Sequence, residues 1–495
     1  MPSLTDAGQM GTTTFFLGSI AAVFFLYTIS LMVYNVYFHP LSKYPGPKLA
    51  SCSIIWYMYS LGSGKHHEHC DALHQKYGKV VRIGPDQLSF ISAQAYKEIY
   101  GHRPGKVEMT KDPRFYGVLA KENLIATNVP DHARMRKLLA HAFSDRALRE
   151  QESLMSKYID ALIAGLLKYA HEGKPVDLVS WYNFATFDII GDLAFGEPFG
   201  SLETSNLHPW VQMLFDGIKG GALMRCSRYW PSLSKIVYSL VSRKLMAKRN
   251  AHQALSSEKV QRRLELGSER VDFTTYILRH NDEKGMTPWE IEVNASLLII
   301  AGSETTATLL SGCTYLLLTN PQVLSKLTQE VRSAFQSEQE ITIASVSRLE
   351  YLLAVLEESF RLYPPAPTGL PRLVPDGGET IDGSFVPAKT AVRISQFAAS
   401  RSSQNFLDPL AFRPERWIEG SKNANDQLAV VQPFSMGPRN CLGKNLAYAE
   451  LKLIVARMIW RFDIAMEESS RGWMDQCTYN LWEKHELKVR LRDRV

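Results

Sequence analysis

Charged and apolar positions divide the chain unevenly. Between Asp6 and Lys43 there is no Lys, Arg, Asp or Glu, and Phe15 to Tyr37 is dominated by Phe, Leu, Ile, Val, Ala and Tyr. About 20 apolar residues in a helix cross the hydrocarbon core of a bilayer, so residues 1–37 predict an N-terminal segment with a transmembrane anchor over about 15–37. The run is longer than a signal-peptide h-region, and neither a basic n-region nor a small-residue cleavage site goes with it. Lys43 and Lys48 follow the span and no basic residue precedes it, which points the body of the protein to the cytoplasm. A proline-rich stretch over 38–50 comes next. Its prolines cannot continue a helix, and the expectation is a semi-rigid hinge.

From 51 to 495 the pattern predicts one body, mainly α with small β-sheets. Val80 to Ser92 reads as a hairpin turning at Gly84-Pro85, and Ala133–Phe143 and Glu152–Tyr169 read as helices. The clearest helix opens at Thr287-Pro288-Trp289-Glu290, a capping box with Pro at the first helical position. No proline follows until Pro321, which allows about 50 Å of helix. It is apolar nearly all round and predicted buried. Yet its middle reads Ala301-Gly302-Ser303-Glu304-Thr305-Thr306, polar groups without an evident structural gain, which is where function is expected. A second helix, Ser347–Tyr363, stops at Pro364-Pro365 and carries Glu358 and Arg361 on one face. On a surface such a pair contributes little.

The composition changes this picture by exclusion. Of 495 residues, 21% are charged and 45% hydrophobic, ordinary for a globular chain and wrong for a disordered or collagenous one. A net charge of +6 is too mild to suggest a nucleic-acid binder. The six cysteines are scattered with no CxxC pair, so neither a disulfide framework nor a zinc ribbon is implied, and a reducing compartment is expected. His66, Cys70 and His74 share a helical face within a His-rich stretch, but no fourth ligand or closing loop accompanies them, and they read as an adventitious cluster on an early helix rather than a zinc site. Asn294-Ala295-Ser296 fits a glycosylation sequon on a buried helix and is expected unmodified.

Cys441 stands apart. Gly437, Pro438 and Gly443 mark a tight loop, and an amphipathic helix follows to about Arg461. A cysteine just before a helix N-terminus, with Arg439 nearby, is placed to be a thiolate. An axial ligand or a nucleophile fits this setting better than zinc.

Phe434-x-x-Gly437-x-Arg439-x-Cys441-x-Gly443 resembles the haem-thiolate loop of the cytochrome P-450 family. Ala301-Gly302-x-Glu304-Thr305-Thr306 resembles its oxygen-activation segment, Glu358-x-x-Arg361 its ExxR motif, and Pro414-Glu415-Arg416-Trp417 its PERF motif with Trp in place of Phe. The stretch around Phe38 to Leu49 and the loop Gly369-Leu370-Pro371-Arg372 look most like fungal secondary-metabolite members, such as isotrichodermin-hydroxylase-like enzymes.

The resemblance implies a cytochrome P-450 fold with haem b (iron protoporphyrin IX) as cofactor and Cys441 as axial ligand of its iron. Gly437 and Gly443 are expected to let backbone approach haem and sulfur, Phe434 to shield the sulfur, and Ala301 and Gly302 to give the haem plane room. Arg439, Arg372, Arg136 and His132 are the expected propionate partners, with His132 standing where many members have Trp. Glu304 and Thr305 form the implied acid–alcohol pair for proton delivery, while Glu358, Arg361 and Arg416 form a buried structural network. The implied activity inserts one oxygen atom from O2 into an apolar small molecule such as a terpenoid, polyketide or alkaloid. The alternatives are desaturation, multi-step oxidation or rearrangement on the same fold, and a membrane-tethered haem protein without turnover. No GxGxxG follows a strand, so electrons must come from a partner: NADPH-cytochrome P-450 reductase, with cytochrome b5 as a second donor, at the endoplasmic reticulum membrane. Arg134, Lys137, Lys444 and Lys452 are the expected docking cations. Substrate is expected to touch Gly101–Val129, Trp210–Trp230, the helix near Leu297 and Ala301, Ala366–Leu370 and Cys477–Trp482.

Overall fold

The computed structural model describes residues 4–494 except 118–122, 210–219, 223, 231–233, 236–253, 255–256, 268–269, 283 and 422. Helix α1 (Leu4–Val33) runs into a π-helical turn, Tyr34–Phe38. Phe15–Phe38 spans 24 residues at mean hydropathy 2.1, long and apolar enough to cross a membrane. The proline-rich stretch lies against the body. Leu41 and Tyr44 are buried in a smaller core cluster, Tyr44 Oη donates to Phe385 O at 2.8 Å, and Arg82 Nη1 donates to Asn35 O at 2.8 Å.

The body is built on helices α2 (His66–Tyr77), α3 (Val129–Ala140), α4 (Glu152–Glu172), α5 (Leu178–Phe195), α6 (Pro288–Thr319), α7 (Glu350–Leu362) and α8 (Lys444–Arg461). The capping box of α6 is formed as its sequence demands: Thr287 Oγ1 accepts from Glu290 N at 3.2 Å and Glu290 Oε2 accepts from Thr287 N at 2.9 Å. α3 starts four residues before the expected Ala133, because Asn128 Oδ1 caps Asp131 N and Pro130 sits in the first turn. α7 starts at Glu350 rather than Ser347, with Leu349 as its extended N-cap. α5 and α6 cross closely and anchor the main apolar core.

A five-stranded sheet flanks this core. Its strands are β1 (Val80–Gly84), β2 (Gln87–Phe90), β3 (Thr110–Lys111), β4 (Arg372–Leu373) and β5 (Ala391–Ile394), in the order β1-β2-β5-β4-β3. β2 and β5 run parallel and the other pairs antiparallel. In the last pair Lys111 stands directly opposite Arg372.

The histidines of α2 are core residues with partners. His66 Nδ1 bonds Ser60 Oγ at 2.8 Å, His74 bonds Ser89 Oγ and Gly78 O, both at 2.8 Å, and the rings of Phe397 and Trp482 flank His67. Burial pushes the Cys70 thiol up to about 12, far from a metal-binding thiolate. Among the described residues no three His, Cys, Asp or Glu side chains are arranged to hold a metal ion. Asn294 is buried, accepting from Leu124 N and donating to Glu290 O.

Candidate active site

The loop before α8 is shaped by backbone demands. Gly437 has φ +72°, and a Cβ there would sit 2.1 Å from the Tyr100 carbonyl oxygen, so only glycine closes this turn. Cys441 N donates to Phe434 O at 2.7 Å, fixing the loop two residues before Gly443, the N-cap of α8. Of the six free cysteines Cys441 alone is exposed. Crowding on its other sides pushes the thiol up, while the Gly443 N–H, Arg136 and Lys444 pull it down. Phe434 packs at 5.1 Å from Phe360 and 5.2 Å from Tyr448, an aromatic wall beside the loop. Gly443 contributes its amide to the Cys441 sulfur, and among protein atoms a Cβ there would meet only Phe143, at an ordinary 3.8 Å. Arg136 steadies the neighbouring residue, donating to Asn440 O at 2.7 Å and to Asn440 Oδ1 at 2.5 Å.

A second group of side chains carries more positive charge than its partners neutralise. Arg439 Nε donates to Glu108 Oε1 at 2.9 Å and Nη1 to Thr127 O at 3.1 Å. Arg372 is buried with Nη1 unpartnered, its guanidinium 5.6 Å from the centre of the Tyr100 ring. Lys111 donates to Ile125 O. Burial, with Arg372 and Arg439, pulls its ammonium down to about 6. His132 is held at about 3 by burial and the same cations. The Tyr116 hydroxyl is buried without a partner. Lys111 escaped sequence reading, because a two-residue strand has no periodicity and its register opposite Arg372 exists only in the sheet.

On α6, Glu304 and Thr305 are not bonded to each other. Thr305 Oγ1 donates to Ala301 O at 2.7 Å, back onto its own helix. Glu304 is buried on another face, where Lys484 Nζ donates to its Oε1 and also bonds Thr308 Oγ1 at 2.8 Å. Glu304 Oε2 has no partner. Burial pushes this carboxyl up and Lys484 pulls it down. Lys484 gave no signal in the sequence. Gly302 faces Ile190 on α5: a Cβ would lie 2.8 Å from Ile190 Cδ1, so this glycine permits the helix crossing. Ala301 is exposed on its own face of α6.

Glu358 and Arg361 form no surface pair; both are fully buried. Arg361 makes two 2.8 Å bonds to the Glu358 carboxylate and donates to Ser400 O, Pro409 O and Ala411 O. Arg416 joins Glu358 to Asp426. The Trp417 indole, in the place of the usual Phe, adds a 3.0 Å bond to Glu358 Oε2.

A thiol supported by a backbone N–H, with the buried guanidinium of Arg372 short of one partner, the half-buried Lys111 opposite it and the unpartnered Tyr116 phenol, fits a ligand that offers a metal to sulfur and carboxylates to cations. Haem is such a ligand. Of the docking cations, Arg134 is taken by Glu290 and Asp131, which leaves Lys137, Lys444 and Lys452. Of the expected substrate segments, residues 118–122, 210–219 and 223 lie outside the described residues.

Comparison with known proteins agrees. The chain matches the cytochrome P-450 family over residues 45–489. It is 45% identical over 479 residues to the cytochrome P-450 monooxygenase astA of Talaromyces wortmannii, covering 96% of this chain and 97% of that one. It is 45% identical over 470 residues to the cytochrome P-450 monooxygenase astJ of Aspergillus oryzae, covering 94% of each. The cytochrome P-450 monooxygenase traB of Penicillium crustosum is likewise 45% identical, over 490 residues and 96% of each chain. With the thiolate loop, the ExxR network and the long central helix all in place, the chain belongs to the cytochrome P-450 family of haem-thiolate monooxygenases.

Proposed function

We propose that this enzyme inserts one oxygen atom from O2 into an apolar small molecule of fungal secondary metabolism. It does so at haem b, with electrons from NADPH delivered by a separate reductase at the endoplasmic reticulum membrane. The observation that carries this reading is Cys441, exposed and supported by the Gly443 N–H, with Arg439 two residues before it close enough to Arg372 and Lys111 for their charges to act on one another.

Bound haem supplies the centre at which O2 is reduced and an oxygen atom transferred. Cys441 would supply the sulfur that holds the iron, and the Gly443 amide would tune its donor strength. Arg439, Arg372, Arg136 and His132, with Lys111, would hold the propionates, whose charge would relieve the like-charge opposition of Lys111 and Arg372. Thr305 turns its hydroxyl from Ala301 O toward a water in the pocket and positions a proton there. Glu304, held by Lys484, is the carboxyl from which that proton is replaced. Lys137, Lys444 and Lys452 face an acidic reductase. That role affects chiefly the association rate, and added salt weakens it.

Two variants test this. Cys441→Ala should lose the strongly red-shifted carbon-monoxide band of the reduced protein; if the band survives, the ligand assignment is wrong. Thr305→Ala should retain haem and substrate binding while NADPH consumption uncouples from product and peroxide accumulates. Full coupling removes Thr305 from the proton path.

A further inference from the structure

Two of the segments expected to face substrate meet at Arg225, and among the described residues no carboxylate meets it there. Arg225 Nη2 donates to Tyr479 O at 3.0 Å, in the Cys477–Trp482 turn. Its guanidinium lies 4.9 Å from the centre of the Phe115 ring, in the Gly101–Val129 loop. Its Nε is buried with no partner. The groups acting on its charge are Tyr57, Arg228, Cys226 and Tyr229, none of them a carboxylate, and burial pulls its pKa down.

The neighbouring charges do not compensate. Arg228 donates to Phe115 O at 3.2 Å. Asp86 and Asp112 are both engaged by Arg114, at 2.5 and 2.9 Å. Arg393, buried on β5, bonds Tyr57 and Gln87 and also leaves its Nε unpartnered. A desolvated guanidinium with open donors is costly unless an anion completes it.

Resting on the monooxygenase reading above, we infer that the substrate is a carboxylic acid with an apolar body, and that Arg225 anchors its carboxylate. The guanidinium fork matches a planar carboxylate. One fork against one aromatic face suits a single monoanion rather than a phosphate dianion.

The test uses the holoenzyme in lipid-free detergent, so that no lipid headgroup competes. Dodecanoic acid, dehydroabietic acid and their methyl esters are titrated at pH 8 against the haem spin-state spectrum. At least one acid should bind roughly tenfold to a hundredfold more tightly than its ester, the usual yield of one charged hydrogen-bonded contact. Arg225→Met should abolish that preference while leaving ester affinity unchanged, and Arg225→Lys should restore part of it. If neither acid outbinds its ester, the inference fails. If Arg225→Met weakens acid and ester alike, Arg225 is a clamp between loops and not an anchor. The carbon-monoxide spectrum of each preparation reports the haem-thiolate reading separately.

Discussion

Among the described residues, the charged groups around Glu358 and those around Arg372 are finished to different degrees. Around Glu358, every nitrogen of the Arg361 guanidinium has a partner, and Arg416 bridges Glu358, Asp426 and the Asp408 carbonyl. Around Arg372, one guanidinium nitrogen and a phenol have none, and Lys111 stands opposite a like charge. Burial alone does not separate structure from function here, since Arg361 and Arg372 are both buried. The tally of partners does. A saturated cluster holds the fold by itself, whereas one left short of anions is built around something that arrives later.

The largest effect should come from breaking the saturated cluster. Glu358→Ala strands Arg361 and Arg416 in the core, and the expected loss is about 3–5 kcal/mol of stability. The check is the urea midpoint of unfolding and the yield of haem-loaded protein. A midpoint equal to that of the parent would mean that the network is dispensable, and the comparison would collapse.

The unsaturated cluster should answer with opposite signs in two states. Lys111→Met removes an uncompensated charge, so the haem-free chain should be no less stable than the parent. The haem-loaded protein should lose haem several-fold faster to an acceptor globin. The pH dependence sharpens this. The Lys111 ammonium is held at about 6 in the folded chain against about 10.5 when unfolded. Between those values the unfolded chain binds the extra proton, so haem-free stability rises with pH over that window. Lys111→Met should flatten the rise. Slower haem loss, or an unchanged slope, would remove Lys111 from the anion pocket.

The two clusters also differ in how far they could be read from sequence. Glu358 and Arg361 lie three apart on one helix, and the Cys441 loop is a contiguous string, so local spacing exposes both. The five-stranded sheet is different: Lys111 and Arg372 are brought face to face by pairing across 261 positions (372 − 111), which no local period encodes. The same limit hid Lys484, which reaches Glu304 from the C-terminal region. The adjacent positions of Glu304 and Thr305 suggested a pair, but helical geometry turns neighbours onto different faces, and the long-range partner decides what Glu304 does. Gly302 also lies against Ile190 across the α5–α6 crossing, a contact between distant segments that its local motif does not announce.

A third way of burying a charged group is to discharge it. Glu450 on α8 is buried, and desolvation raises its carboxyl to about 8, with Thr306 pulling it partly back. Thr306 Oγ1 also donates to Gly302 O at 3.0 Å, so its single proton is contested and gives the Glu450 carboxylate only part of a hydrogen bond. Glu450 Oε2 has no partner. The folded chain therefore holds a proton that the unfolded chain releases near 4.5. Between about 4.5 and 8 the native state binds more protons, and this residue's contribution to stability is lost as pH rises. Glu450→Gln keeps the shape and the donor but cannot ionise. Its melting temperature relative to the parent should therefore climb steadily from pH 5 to pH 8. A difference that stays constant over that range would mean that Glu450 is ionised and paired, which would place it with Glu358 instead.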